Sequence, residues 1–134
     1  MGALRMTQKT VGMSVSVLVV DDQASFREVM REVVAAARGF ELAGEAASGD
    51  EALKFVQKNA PQVVVVDTRL PDVSGIDICR VITADHPDIV VVLCSVEDLD
   101  SQLAQESGAA RAIHKQHLSP QLLADVWRTH GGGP

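Results

Sequence analysis

Five runs of apolar residues divide the chain, and each is followed by a stretch with helical spacing. Four consecutive valines, Val63 to Val66, cannot alternate between core and solvent. They predict a strand covered on both faces, as in a parallel sheet packed between helices. Val15 to Val20 and Ile89 to Cys94 read the same way. Glu41 to Ala46 alternates and suits an edge strand, and Ala109 to His114 is the last strand. Between them, Phe26, Val29, Met30, Val33 and Val34 recur at helical spacing, with Gly39 as a stop. Ser48-Gly49-Asp50-Glu51 has the form of a capping box for a helix running to Asn59, closed by Pro61. Ile78, Cys79 and Ile82 mark a third helix ending near His86-Pro87. A fourth, capped by Asp98 or a neighbour, turns Leu99, Leu103 and Ala104 inward and ends at Gly108. Ser119-Pro120 starts a fifth, whose apolar face is Leu122, Leu123, Val126 and Trp127.

Strand then helix, five times over, predicts an α/β fold with a doubly wound parallel sheet, a single (βα)5 domain over 15–130. Residues 1–14 have no clear period and read as a tail, and 131–134 as a flexible end or the start of a linker. A length of 134 residues with 46% apolar content suits one domain with a real core. Aromatic content of only 3% leaves that core to Val, Leu, Ile and Ala. The net charge of -6, without a basic run, argues against direct nucleic-acid binding by this chain or attachment to an anionic membrane. No apolar stretch is long enough to span a bilayer and Met1 to Thr10 lacks the core of a signal peptide, which predicts a cytoplasmic protein. Cys79 and Cys94 lack metal-type spacing and read as buried free thiols.

In a parallel sheet all C-terminal strand ends lie on one side, where ligands of open α/β sheets bind. Asp21, Asp22, Asp67, Ser95 and Lys115 stand at or just past those ends. Three carboxylates brought together repel, so one holds a proton or a divalent cation neutralises them. Oxygen ligands from Asp21, Asp22 and Asp67 suit Mg2+. A carboxylate can attack a phosphoryl group, and an ammonium then offsets charge on the transferring oxygens. In that reading Asp67 is the nucleophile, Lys115 the ammonium, and Ser95 a hydroxyl for a phosphoryl oxygen. Taken singly, each has a plainer reading: the Asp21-Asp22 pair as a solvated strand end or helix cap, Ser95 as structural, and Lys115 as a surface lysine.

Four segments carry a family resemblance: VLVVDD at Val17 to Asp22, VVVVDTRLPDVSG at Val63 to Gly75, VVLCS at Val91 to Ser95, and GAARAIHK at Gly108 to Lys115. In this order and spacing the chain resembles the receiver domain of two-component response regulators, the CheY-like superfamily. Phe26-Arg27-Glu28, Gly44-Glu45-Ala46 and Gly49-Asp50-Glu51-Ala52 make it most similar to receivers of the NarL/FixJ type. The resemblance implies the flavodoxin-like sheet order 2-1-3-4-5 and phosphorylation of Asp67 by a sensor histidine kinase. It implies Mg2+ held by Asp22, Asp67 and the backbone carbonyl of Arg69, with Asp21 acting through water. It also implies that the face made by the fourth helix, fifth strand and fifth helix changes partners, a homodimer among them, and that a helix-turn-helix domain outside these residues carries DNA binding. The domain itself is then a signalling phosphoacceptor rather than an enzyme.

Three positions depart from that pattern. Gln116 stands where proline usually follows the lysine and brings a cis peptide. Ala112 replaces the aromatic ring that usually turns inward when the Ser/Thr engages phosphate. Val96 is bulkier than the usual Ala or Gly after the Ser/Thr and is expected to slow phosphoryl exchange. The departures at Ala112 and Gln116 support an alternative, a phosphorylation-independent interaction module on the same fold. A flavin-binding module is disfavoured, because no hydroxyl- and glycine-rich phosphate loop follows the first strand.

Overall fold

Alternate residues of each central strand belong to different cores. Val17, Val19, Val63, Val65, Val90 and Val92 pack in one cluster, while Leu18, Val20, Val64, Val66, Val91 and Leu93 pack in another. This is the pleat of a sheet with both faces covered, which the valine run requires. The computed structural model describes residues 14–131. The expected tail and C-terminal end therefore lie outside the described residues, apart from Ser14 and Gly131.

The elements are β1 (Val15–Val20), α1 (Ala24–Ala36), β2 (Phe40–Ala46), α2 (Gly49–Asn59), β3 (Val63–Asp67), α3 (Gly75–Asp85), β4 (Val90–Ser95), α4 (Leu103–Ser107), β5 (Arg111–His114), a 3-10 turn (Lys115–His117) and α5 (Pro120–His130). Five strands form one parallel sheet in the order β2-β1-β3-β4-β5. Met30 and Val34 of α1, with Leu123 and Val126 of α5, close the first cluster. Ala52 and Val56 of α2 and Ile78, Cys79 and Ile82 of α3 close the second. Each fully buried Val or Leu contributes about 1.5–3 kcal/mol relative to exposure, so these two layers fix the strands against one another. Cys79 and Cys94 are buried free thiols, and burial pushes both of their pKa values up.

Several local expectations are corrected. Val29 faces solvent at 55% exposure, because α1 buries a narrower stripe than its apolar residues allow. The fourth helix is only five residues long and starts at Leu103, so Leu99 lies outside it and Asp98 does not cap it; Asp100 instead accepts from the Gln102 backbone N–H at 2.8 Å. Leu103 and Ala104 do pack inward. At α2 the box is half formed. Ser48 Oγ accepts from the Glu51 N–H, but the Glu51 carboxylate reaches back to the Ala47 N–H at 2.7 Å rather than to that of Ser48.

The sheet register determines what stands at the functional edge. Val20 is level with Val66, Asp67 with Cys94, and Ser95 with His114. Asp21 therefore leaves its strand beside Asp67, while Ser95 and Lys115 extend one residue further. Gly75 sets the entry to α3: an added Cβ would lie 1.8 Å from the Asp67 carbonyl oxygen and 2.8 Å from its carbon, both backbone atoms. Gly75→Ala is expected to destabilise the domain by about 1–3 kcal/mol through overpacking, read as a lower urea midpoint with unchanged slope. An unchanged midpoint would mean that the loop after Asp67 yields without cost.

Candidate functional site

The loop after β1 brings Asp21 under the sheet edge. Its Oδ1 accepts from the Gln23 N–H at 2.8 Å, and the Arg27 guanidinium donates to its backbone carbonyl at 2.7 Å. Arg27 also bonds Glu45 at the end of β2, so α1, β1 and β2 are tied together at this corner. Asp67 ends β3, and its Oδ1 accepts from the Arg69 N–H at 3.1 Å. Asp22 is exposed, Asp21 fully buried, and Asp67 8% exposed; one carboxylate oxygen of each lies within 4.8 Å of the others. Among the described residues this is the one group of three or more His, Cys, Asp or Glu placed closely enough to hold a metal ion.

Lys115 reaches into this group from the 3-10 turn. Its Nζ is 2.6 Å from Asp21 Oδ2 and 3.1 Å from Asp67 Oδ2. The ammonium is therefore held by both carboxylates, Asp67 in a hydrogen bond and Asp21 in a still closer ion pair. Asp21 Oδ2 is thus a buried oxygen whose counter-charge is the Lys115 ammonium. Three carboxylates against one ammonium leave two negative charges. A divalent cation fits that excess, and the all-oxygen donor set of Asp21, Asp22 and Asp67 suits Mg2+.

The electrostatics follow from the same contacts. Burial pushes the Asp21 carboxyl above its ordinary pKa and the Asp67 charge adds to this, while Lys115 and the Gln23 N–H pull the other way without cancelling it. For Lys115 burial acts downward, but the two carboxylates outweigh it and the pKa is raised. At β4, Ser95 is 3% exposed and its Oγ accepts from the Glu97 N–H at 3.0 Å. The hydroxyl proton is thereby left to be donated elsewhere. Arg69 and Glu97 form an ion pair at 3.0 Å, with both side chains largely in solvent.

Every candidate residue read from the sequence lies at this edge. The peptide after Lys115 is not cis, for no cis bond occurs among the described residues; Gln116 sits in the 3-10 turn, its N–H donated to His114 Nδ1 at 3.1 Å. Two contributors were not legible. Asp72 caps α2 from the loop after β3, accepting from the Gly49 N–H at 2.9 Å and the Asp50 N–H at 3.0 Å, and those bonds pull its pKa down. Phe26 lies under Lys115, with Nζ 4.2 Å from the ring centroid. A ring four residues past the acidic pair was the signal for the latter; Asp72 offered none beyond being a turn former.

Comparisons with known proteins agree with this fold. The response regulator receiver domain family matches residues 17–126. The chain belongs to that family. It is 39% identical over 111 residues to the DNA-binding response regulator MtrA of Mycobacterium tuberculosis, covering 82% of this chain and 48% of MtrA. It is 37% identical over 112 residues to a protein-glutamate methylesterase/protein-glutamine glutaminase of Pyrococcus horikoshii, covering 81% of this chain and 30% of that protein. The chain thus spans less than half the length of either relative. Among solved structures it resembles the response regulator domain of Thermotoga maritima CheB, with TM-score 0.77, 25% identity, and coverage of 90% of this chain and 99% of that one. It also resembles the signal receiver domain of NarL from M. tuberculosis, with TM-score 0.74, 25% identity, and coverage of 84% and 96%.

The raised Asp21 pKa carries a testable sign. Between its ordinary value of 3.8 and the raised one, the folded chain holds a proton that the unfolded chain has lost. Stability contributed by this group therefore falls as pH rises through that window and stays lower above it. Without divalent cation, the unfolding free energy of Asp21→Asn minus that of wild type is expected to grow across the window and then level off, in urea titrations at successive pH values. A difference that is flat with pH would refute the shift.

Proposed function

We propose that this receiver domain accepts a phosphoryl group on Asp67 from a sensor histidine kinase or a small phosphodonor. The observation that carries the reading is the convergence of Asp21, Asp22 and Asp67 within 4.8 Å, with the Lys115 ammonium at 2.6 and 3.1 Å from two of them. An Asp67 oxygen attacks phosphorus, an O–P bond forms, and the P–N bond of a phosphohistidine or the P–O bond of an acyl phosphate breaks. The leaving imidazole or carboxylate keeps the electron pair. Lys115 moves its hydrogen bond from Asp67 to a phosphoryl oxygen, and the Ser95 hydroxyl donates to another.

Asp22, Asp67 and the Arg69 carbonyl would hold Mg2+, with Asp21 acting through water. When bound, the ion supplies charge neutralisation for the phosphoryl oxygens. The domain is then a phosphoacceptor in the cytoplasm that assists its own phosphorylation and dephosphorylation. Its output is a change in the face of α4, β5 and α5, which serves a homodimer and a DNA-binding domain that controls transcription. The MtrA similarity supports that output. No helix among the described residues is long and apolar enough to cross a membrane.

A second reading has one observation behind it. Ala112, half-buried against the second core cluster, cannot perform the inward ring movement, so the fold would serve as a phosphorylation-independent interaction module. Intact mass separates the two. With Mg2+ and acetyl phosphate, wild type is expected to gain one phosphoryl adduct that is absent without Mg2+ and absent from Asp67→Asn. Folded wild type that stays unmodified would decide for the constitutive module. Val96 is 64% exposed, so its truncation has little folding cost. Val96→Ala is expected to gain and lose the adduct faster than wild type, and equal rates would show that this side chain does not shield Asp67.

A further inference from the structure

Lys115 has three sides to its ammonium and two carboxylate partners. The third side is occupied by the Phe26 ring, whose centroid is 4.2 Å from Nζ. Phe26 enters from α1 and packs partly buried against the first core cluster, so the ring is anchored independently of the turn that carries Lys115. That turn has no proline; it is held by the Gln116 N–H donated to His114 Nδ1. The ammonium head therefore takes its position from Asp21, Asp67 and the Phe26 face.

We infer that Phe26 is a positioning residue for phosphoryl transfer: its ring face holds the Lys115 ammonium in the pocket while Lys115 changes partner from Asp67 to the phosphoryl group. This rests on the phosphoacceptor reading above. The physical reason is directional. A carboxylate acceptor fixes a donor along a line, and when Asp67 becomes an acyl phosphate that partner changes. Attraction to an aromatic quadrupole is spread over the ring face, so Nζ can shift across it without losing the interaction. The ring also takes the place of water on that side, which strengthens the pull between ammonium and incoming anion in a less polar setting. A leucine in its place would supply bulk without attraction and leave Lys115 to turn toward Asp21, its nearer partner at 2.6 Å.

The test uses the full chain with Mg2+ and acetyl phosphate, in wild type, Asp67→Asn, Phe26→Leu, Phe26→Trp, and wild type carrying pentafluorophenylalanine at position 26, which keeps the ring's shape and reverses its face charge. Each is checked for folding by circular dichroism, and the Lys115 ε-methylene resonances are assigned by NMR. In wild type these resonances are expected upfield through the ring current, and in Phe26→Leu at ordinary positions. At saturating donor, Phe26→Leu and the fluorinated chain are expected to phosphorylate roughly three- to thirtyfold more slowly, the span of a cation over an aromatic face. The donor concentration giving half the maximal rate should be unchanged, and Phe26→Trp should restore the rate. Wild-type rates in the fluorinated chain, or a Phe26→Trp rate as low as Phe26→Leu, would overturn the inference. If Phe26→Leu does not fold, the fluorinated chain decides alone. Wild type without any adduct would instead bring down the phosphoacceptor reading, and this inference with it.

Discussion

The site depends on one charge imbalance: a single ammonium set among three carboxylates at the edge of a buried sheet. Asp21 is wholly out of solvent, so its charge has no water to lean on, and the ordinary outcome for such a group is protonation. Lys115 opposes that outcome without abolishing it, which is why the Asp21 pKa stays raised while that of Lys115 is raised as well. Two charges of the same sign remain uncompensated. That residue of negative potential, beside low-dielectric walls, suits a divalent cation and makes the site sensitive to any further anion. The surrounding framework keeps the imbalance from relaxing. Asp21 is pinned by Gln23 and Arg27, Asp67 by Arg69 and by the close passage of Gly75 against its carbonyl.

Legibility in the sequence followed the physics of coverage. Strands with both faces buried must be continuously apolar, so β1, β3 and β4 were readable almost to the residue, and their ends located Asp21, Asp67 and Ser95. The order of the sheet, and the Arg69 carbonyl as a proposed ligand, required the family motifs. What escaped was set by long-range or weak effects. Whether Val29 meets a partner depends on how α1 is rotated on the sheet, which its own spacing leaves open. The fourth helix was overextended because Leu99 has the right period, yet Asp100 offers the chain a local turn that competes with helix. Asp72 satisfies the backbone of a helix 22 and 23 residues away, which no local pattern encodes.

Asp72 also shows why the loop after Asp67 is not a loose connection. Two N–H groups at the start of α2 are donated to its carboxylate, so the stretch from Asp67 to Gly75 is fastened at both ends and in the middle. Arg69 and Ser74 form an isolated antiparallel bridge across it. A loop fastened in this way holds the Arg69 carbonyl in one place before any ligand arrives, which lowers the ordering entropy that binding must overcome.

The opposite side of the pocket is built differently, and the contrast bears on how a signal leaves. After Ser95, all of Val96 to Gln102 apart from Leu99 are exposed; α4 then runs for five residues, without a side-chain bond at its N-cap. A helix that short has little intrinsic stability, so the free energy separating alternative arrangements here is small. In the phosphoacceptor reading the Ser95 hydroxyl would donate to a phosphoryl oxygen while accepting from the Glu97 N–H, so a shift of that oxygen would pass directly to the first fastening of this stretch. Ala112 leaves no ring to follow that movement inward. Under the proposed phosphorylation, the element available to carry a change would therefore be the exposed segment and α4 themselves, adjoining β5, and the response would run from the rigid Asp67 loop toward the loosely held side.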